Sequence, residues 1–374
     1  MGGGRMRRSG SARVVLGLAA AVAAALVNIA TAHAETQVAF PRPAIIEPNV
    51  QFWVDVFTGY SRRDFILIDR RDVSRMYQVH SMAGSGEPSS REVQWANSYL
   101  KSKWTHVLEK AASGREPATD EERLVAQMFK GSARAELRDA VDNLRVQQGL
   151  RERFREGLVR SRQYRPSMER IFRSAGLPPE LVVLAQVESG FHPRARSHAG
   201  AVGIWQFTKG TGRRYLKISR GRDDRLNPAR ATKAAAEHLR DNYQRLGSWP
   251  LAITAYNYGV GGMARAASAY DYDYAKVVES YEGPRFGFAV RNYYAEFLAA
   301  LQVHRYEDAY FPDLRYISPA GVPAGSDYAV KRGDTFAKIA REHGVSVKRL
   351  MRENGIKNAK SLRAGSTLTI PAET

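Results

Sequence analysis

The chain contains no cysteine in 374 residues. This absence excludes disulfide bonds, and it also excludes a lipoprotein anchor, which needs a cysteine at the mature N-terminus. A run that would span a bilayer comfortably is lacking as well, because the uncharged apolar stretch behind four N-terminal arginines covers only residues 14–27. Small residues at Ala32 and Ala34 complete the pattern of a cleaved export signal, residues 1–34. An uncleaved membrane anchor is the alternative.

Acidic residues are few relative to basic ones, with 38 Asp and Glu against 57 Lys and Arg, a net charge of +19. Loss of residues 1–34 would remove four arginines and no acid, leaving 53 against 38, or +15. Such a charge on an exported protein favours an anionic polymer or membrane surface as partner. Nucleic acid is not expected, because the arginines are scattered and the chain carries an export signal. We expect a periplasmic or cell-envelope monomer.

The composition, 44% hydrophobic, allows at least two packed domains after processing. A proline-rich lead-in covers residues 40–48, and the runs around the polar centre of residues 52–69 predict a β-hairpin. Residues 91–113 and 120–161 predict helices. Aromatic side chains on the first of these are expected to lie in the core: Trp95, Tyr99 and Trp104. Residues 35–165 are thus expected to form a mostly helical region with a hairpin.

An apolar helix with an acid near its end is the most informative local feature. Pro178 and Pro179 suit its first positions and Gly190 suits its end. Glu188 therefore lies at the C-terminal end of a buried helix, where desolvation and the helix dipole both raise its pKa. A carboxyl group that stays protonated near neutral pH can serve as a general acid. An ordinary capping or solvent-exposed glutamate is the alternative reading from the residues alone.

Four separated blocks resemble the soluble lytic transglycosylases of bacterial cell walls, a lysozyme-like family that cleaves peptidoglycan. They are Glu188 with Ser189, then Ser197, then the block GIWQ at residues 203–206, and Ala255 with Tyr256 and Asn257. The similarity covers about residues 166–310 and is nearest to the membrane-bound type D branch. It implies a mainly α, lysozyme-like helical domain with Glu188 as its catalytic acid and base. The implied sugar-binding residues are Ser197, Gly203, Gln206, Tyr256, Asn257 and Tyr293.

The resemblance also implies the reaction. One acid would protonate the oxygen of the MurNAc–GlcNAc bond and then, as a carboxylate, take the proton of the C6 hydroxyl group, giving 1,6-anhydroMurNAc without water. No second carboxylate lies in a matching motif, although Glu282 is a weak candidate and is better read as a surface turn residue. Neither a cofactor nor a metal is expected, because the histidines have no metal-ligand spacing.

One position departs from the family pattern. Where many members have an acidic residue and a threonine before the tyrosine of the last catalytic helix, this chain has Ala289 and Val290. Tyr293 aligns with the family tyrosine. The departure concerns the far side of the cleft and leaves Glu188 as the predicted acid.

After a Pro/Gly linker at residues 311–326, residues 327–372 show a βααβ pattern that resembles a LysM domain. The Gly-Asp-Thr start and the closing Leu-Thr-Ile-Pro carry this resemblance, which implies binding of N-acetylglucosamine-type glycans. The implied contacts come from two loops: Gly333, Asp334, Thr335 and Phe336, and Ile356, Lys357 and Asn358. Asp334 and Thr335 are also suited to be helix caps.

Three functions remain open from the sequence. The first is a lytic transglycosylase tethered to peptidoglycan by its LysM domain. A wall-binding adaptor without turnover is the second, and a goose-lysozyme-like hydrolase of the same bond is the third. The intact Glu188, Gln206 and Tyr256 favour an enzyme.

Overall fold

The computed structural model describes residues 39–316, 327–331, 333–342, 345–354, 356, 358, 362–363 and 365–370. The segment predicted as an export signal and most of the predicted linker lie outside these residues. Helices dominate the described chain, which confirms the mainly α fold class. No helix within the described ranges is both long and apolar enough to cross a membrane.

The N-terminal part combines one three-stranded sheet with helices on both of its faces. Its elements are α1 (Glu47–Thr58), β1 (Asp64–Asp69), β2 (Met76–Ser81), α2 (Ser90–Ala112), α3 (Asp120–Met128), α4 (Arg134–Asp142), β3 (Leu144–Gln148) and α5 (Arg151–Ser174). The strand order is β2-β1-β3, and both pairings are antiparallel. The sequence did not predict β3, which interrupts the expected helical stretch of residues 120–161.

The predicted hairpin is only partly right. Its first run is helix α1, while its second run is β1, which forms a hairpin with β2 further along the chain. In α1, Val50, Trp53, Val54 and Phe57 are buried at spacings of three and four residues. This spacing places them on one helical face, so tertiary packing overrides the β preference of valine and aromatic residues.

Strand β1 separates two hydrophobic cores. Its alternate residues Ile66 and Ile68 belong to the large core, whereas Phe65 and Leu67 belong to a smaller core under α2, α3 and α4. This follows from the two-residue side-chain period of a strand that is covered on both faces. The large core also includes residues of α1 and extends along the chain as far as Leu314. The expected domain boundary between residues 165 and 166 lies inside helix α5, which packs into this core.

The aromatic residues of α2 are not all in the core, which corrects the expectation. Trp104 is buried, and its Nε1 donates to Gln78. Trp95 and Tyr99 are 52% and 40% exposed and stack on each other with ring centroids 5.1 Å apart. Both rings contact His80 of the edge strand β2, with centroids 5.5 and 5.7 Å from its ring, so they lie at the margin of the sheet and stay open to solvent.

The region that resembles the lytic transglycosylases, about residues 166–310, is helical. It also contains a short two-stranded ribbon, β4 (Ile218–Ser219) and β5 (Arg222–Asp223). Its helices are α6 (Leu184–Ser189), α7 (Lys209–Gly212), α8 (Pro228–Leu246), α9 (Trp249–Tyr258), α10 (Val260–Ser268), α11 (Tyr274–Ser280), α12 (Phe288–Arg305) and α13 (Glu307–Tyr310). A 3₁₀ turn, Pro179–Val183, precedes α6 as the two prolines predict. Helix α1 is held against α12 by Trp53 Nε1, which donates to Asn292 Oδ1 at 3.0 Å.

The C-terminal module has the predicted βααβ order: β6 (Asp327–Ala329), α14 (Phe336–Glu342), α15 (Val347–Glu353) and β7 (Thr367–Thr369). The two strands pair antiparallel. Phe336, Ile339, Leu350 and Leu368 form a separate small core, so each helix and strand contributes apolar residues at the positions that the pattern indicates.

Candidate active site

Glu188 lies near the end of α6, at the wall of a cavity of about 560 Å³. The five residues 181–185 before it are fully buried, so the segment is packed on all sides and fixes the direction of the carboxyl group. Gly190 ends the helix in a left-handed conformation, φ 55°, which glycine adopts without strain. The predicted helix, its stop and the place of the acid are therefore all present.

The environment of Glu188 favours the protonated form of its carboxyl group. Burial raises its pKa to about 7, and the hydroxyl group of Tyr293, which donates to Glu188 Oε1, lowers the pKa by a smaller amount. Desolvation is therefore the dominant effect. Near neutral pH a large fraction of the Glu188 population carries a proton, as a general acid requires.

Tyr293 contacts the predicted acid from α12. Its side chain is 3% exposed, and burial, followed by the nearby Glu188 and Tyr256, raises its pKa far above the ordinary value, so the phenol remains a hydrogen-bond donor. Of the residues predicted to bind sugar, this one makes the closest recorded contact with Glu188. Its contact gives it a second role, that of orienting the carboxyl group.

We expect Tyr293→Phe to move the alkaline limit of activity to higher pH. The hydroxyl group lowers the pKa of Glu188, so its removal raises that pKa, and a general acid loses activity as pH rises through its pKa. The lost hydrogen bond should also reduce the neutral rate by roughly tenfold. A pH–rate profile measures both effects.

Tyr294→Phe is the matched control for that profile. Tyr294 is also buried on α12, but its hydroxyl group donates to the carbonyl oxygen of Pro41 at 2.8 Å, away from Glu188. Its loss should leave the alkaline limit in place. An unchanged or lowered limit in Tyr293→Phe would contradict the assigned contact.

Tyr256 joins the same site from the end of α9. Its hydroxyl group donates to the carbonyl oxygen of Trp205 at 2.9 Å, and burial, followed by the charge of Glu188, raises its pKa. Two helices, α6 and α9, thus bring residues near their C-terminal ends to the same site. Asn257, the next residue, is exposed, and its sugar contact stays a prediction.

The GIWQ block forms a tight loop beside α6. Ser189 Oγ donates to the carbonyl oxygen of Ile204 at 2.8 Å, which ties the loop to the helix that carries the acid. Trp205 is fully buried, stacks on Phe172, and donates from Nε1 to Thr232 Oγ1 at 3.0 Å. Trp205 is therefore a core residue.

Gln206 has a left-handed backbone, φ 47°, and its Nε2 donates to the carbonyl oxygen of Gly203 at 2.7 Å. Its amide is thus held by the backbone of its own loop, and its sugar contact stays a prediction. Gly203 is needed for close packing: at φ +85°, an added Cβ would lie 2.0 Å from the carbonyl oxygen of Arg225. This close approach gives Gly203 a structural role, and its implied sugar contact stays a prediction.

Ser197 is exposed at the start of this loop. Its Oγ accepts a hydrogen bond from the backbone of Ala201 at 3.0 Å, and its own N–H donates to the Ala201 carbonyl oxygen. Within the described part of the chain no hydrogen bond joins Ser197 to Glu188. Its contact with the acid or the sugar stays a prediction.

A carboxyl group that the motif comparison missed lies at the same cavity. Glu296 lies on α12, three residues after Tyr293, and lines the cavity with Glu188. The signal for it was available: residues three apart on a helix are neighbours, so the residue one turn beyond Tyr293 must lie near the site. Glu282, the weaker candidate, is 66% exposed and pairs with Arg291 at 3.0 Å, in agreement with a surface turn.

The predicted glycan-binding residues of the C-terminal module also have structural roles. Asp334 accepts hydrogen bonds from the Tyr328 hydroxyl group at 2.7 Å and the Lys331 N–H at 2.8 Å. Backbone and side-chain hydrogen bonds lower the pKa of Asp334 to about 2. Thr335 Oγ1 caps α14 by accepting from the N–H of Lys338 at 3.1 Å.

The remaining predicted contacts of the module vary in exposure. Phe336 is buried, Ile356 is partly buried, and Gly333 and Asn358 are exposed. Lys357 lies outside the described residues. Binding of glycan by this set stays a prediction.

Comparisons with known proteins agree with both motif assignments. Residues 168–278 match the family described as Transglycosylase SLT domain, and residues 328–371 match the LysM domain. The membrane-bound lytic murein transglycosylase D of Escherichia coli strain K12 is 43% identical over 96 residues, which are 25% of this chain and 21% of that protein. The match thus spans about a fifth of the relative.

Two further similarities involve related proteins. The membrane-bound lytic murein transglycosylase C of Actinobacillus pleuropneumoniae is 33% identical over 130 residues, 31% of this chain and 35% of that protein. The solved structure of the 70 kDa soluble lytic transglycosylase of Escherichia coli is 26% identical, with a TM-score of 0.31 over 37% of this chain and 24% of that chain. The predicted resemblance to a transglycosylase SLT domain and to a LysM domain is confirmed by the two family matches, over residues 168–278 and 328–371.

Proposed function

We propose that this protein is a peptidoglycan lytic transglycosylase that uses Glu188 as its single general acid and base. The observation that supports this most is the carboxyl group of Glu188, which lies at a cavity wall, is contacted by Tyr293, and has its pKa raised to about 7 by burial. The match to the SLT domain and the names of the relatives support the substrate class.

In the proposed reaction, Glu188 donates its proton to the oxygen that links MurNAc to GlcNAc. The bond between MurNAc C1 and that oxygen breaks, and the GlcNAc leaves as an alcohol. The neighbouring N-acetyl group assists this departure. Glu188, now a carboxylate, takes the proton from the MurNAc C6 hydroxyl group, and the C6 oxygen bonds to C1. The product is 1,6-anhydroMurNAc, and Glu188 is protonated again.

Digestion of purified peptidoglycan in heavy-oxygen water, followed by mass spectrometry, tests this reaction. The proposal predicts anhydromuropeptides with no heavy oxygen at the new end. A goose-lysozyme-like hydrolase would give reducing ends that carry heavy oxygen, because water would attack C1. A wall-binding adaptor would release no products.

We propose a division of the chain in which residues 166–310 carry the catalytic site and residues 327–372 bind glycan. The packing of α1 and α5 into the large core supports the further proposal that parts of residues 35–165 stabilise the catalytic domain. Residues 1–34 would direct export to the periplasm or cell envelope, where a basic monomer can associate with anionic surfaces.

We expect removal of residues 317–374 to weaken retention on sacculi more than cutting of soluble glycan strands. The C-terminal module has its own core, so its removal leaves the large core intact. Tethering raises the local concentration of a bound enzyme at its polymer, and loss of the tether should reduce sacculus turnover by about tenfold or more. Co-sedimentation with sacculi measures retention, and release from soluble strands is the control. Equal retention with and without the module would contradict its role.

A further inference from the structure

A second carboxyl group, that of Glu296, belongs to the wall of the cavity that contains Glu188. Tyr293 and Glu296 are three residues apart on α12, so their side chains are neighbours on one helical face. The hydroxyl group of Tyr293 donates to Glu188. Glu296 therefore lies one helical turn from the contact that orients the predicted acid.

Glu296 is unpaired within the part of the chain that the structure describes. Among the described residues its carboxyl group makes no recorded hydrogen bond and no ion pair, although the side chain is only partly exposed. Burial, followed by the charge of Glu188, raises the pKa of Glu296 to about 8, while Arg145 opposes this shift. A desolvated polar group without a partner destabilises the folded state. Such a group at a cavity wall is explained if it contacts a ligand.

Charged and titratable groups from several helices and from strand β3 lie near Glu296. Arg145 of β3 is the nearby cation that favours ionisation of Glu296, but its guanidinium group lies over the Phe288 ring at 4.1 Å and forms no ion pair with the carboxyl group. Groups of other elements that face the site are Glu188 of α6, Tyr256 of α9, Arg153, Glu156 and Arg160 of α5, and His192 and Arg196 of the loop after α6.

We propose that Glu296 is a substrate-binding carboxylic acid, which in its neutral form donates a hydrogen bond to an acetamido carbonyl or hydroxyl oxygen of the glycan in the cleft. This inference rests on the proposed function, because it takes the N-acetylated glycan as the ligand. A neutral Glu296 also favours the proton transfer from Glu188 to the leaving oxygen. Glu188 becomes negatively charged once it has given up its proton, and an ionised neighbour would oppose that step.

The neutral form also distinguishes Glu296 from the base of a hydrolase. A base that activates water must be ionised at the working pH, whereas burial keeps Glu296 protonated until about pH 8. Glutamine has nearly the same shape, donates a hydrogen bond and cannot ionise. It should therefore replace Glu296 in the proposed role, and alanine should not.

The test compares Glu296→Gln, Glu296→Ala and the unchanged protein on soluble peptidoglycan strands from about pH 6 to pH 9, with anhydromuropeptide release as the rate. At pH 6 we expect Glu296→Gln to stay within about threefold of the unchanged protein, and Glu296→Ala to lose about ten- to a hundredfold in kcat/KM. At about pH 9 most Glu296 side chains of the unchanged protein are ionised. The ratio of the Glu296→Gln rate to the rate of the unchanged protein should therefore be about tenfold higher at pH 9 than at pH 6.

A purely structural role would give a rate ratio that does not change with pH, and thermal unfolding shows whether each variant folds. A pH-independent ratio, or equal rates for Glu296→Ala and Glu296→Gln, would overturn the inference. Loss of all activity in Glu296→Gln would also overturn it and point to a base.

Failure of the proposed function has a different signature. In that case the unchanged protein gives no anhydro ends, or Glu188→Gln keeps the full rate. If those two results are as expected and only the Glu296 variants behave like the unchanged protein at every pH, this inference alone fails.

Discussion

Glu188→Gln should reduce the release of anhydromuropeptides by about a thousandfold or more. Glutamine fits the same space and can still accept from Tyr293, but it can neither donate a proton to the leaving oxygen nor remove one from the C6 hydroxyl group. General acid and base steps each contribute about a hundred- to ten-thousandfold, and this residue is proposed to perform both. Product release from purified peptidoglycan, measured by mass spectrometry, gives the ratio.

Glu282→Gln is the control for that loss. Glu282 is an exposed glutamate in the same region, paired at the surface with Arg291 and Arg71, and such pairs contribute little to stability. It should keep its activity within about twofold, since a surface substitution away from the cavity changes neither the acid nor its surroundings. Equal losses in Glu188→Gln and Glu282→Gln would contradict a special role for Glu188.

Gly203→Ala should destabilise the protein by about 3 kcal/mol or more and displace the loop that carries Gln206. The backbone at Gly203 has φ +85°, and the new Cβ would lie 2.0 Å from the carbonyl oxygen of Arg225. The left-handed conformation costs about 1 kcal/mol for alanine, and a backbone clash of this size adds to it because neither chain segment can yield cheaply. Thermal and denaturant unfolding measure the effect.

Gly200→Ala separates the two contributions. Gly200 also has a positive φ, +78°, but an added Cβ would meet nothing within 4 Å. Only the conformational cost remains there, about 1 kcal/mol. If Gly203→Ala were no more destabilising than Gly200→Ala, the close packing of the GIWQ loop on Arg225 would not hold.

The parts of the fold that were predictable are those with a strong local signal. The prolines before α6 and Gly190 after it determine both ends of that helix, and its apolar residues could only be buried. Position at the end of such a helix was enough to predict a raised pKa for Glu188. The C-terminal module was predictable because turn and cap residues mark each of its elements.

The parts that were wrong or missed depend on packing between distant segments. Helix α1 has the β-branched and aromatic residues of a strand, and its helical form reflects burial against α12. Trp95 and Tyr99 have the spacing of core residues on α2, but they pack on His80 at the edge strand β2 and stay exposed, whereas Trp104 is buried. No property of the sequence alone says which side of α2 the sheet occupies.

Glu296 shows a different limit. Its distance from Tyr293 along α12 already placed it near the site, but only the folded chain shows that no partner in the described protein neutralises it. The family motif includes positions 289 and 290, where this chain has Ala289 and Val290 in place of the usual acidic residue and threonine. An acid one turn beyond Tyr293 lies outside that motif, so motif matching alone passes over it.

Direct titration of Glu188 tests the central claim most simply. Difference infrared spectra between the unchanged protein and Glu188→Gln isolate the carboxyl band of this side chain across the pH range. We expect a protonated carboxyl band that disappears with a midpoint near pH 7, because burial raises the pKa to about 7. A midpoint near the ordinary value of 4.5 would mean that Glu188 is ionised at neutral pH, and it would contradict its role as the acid.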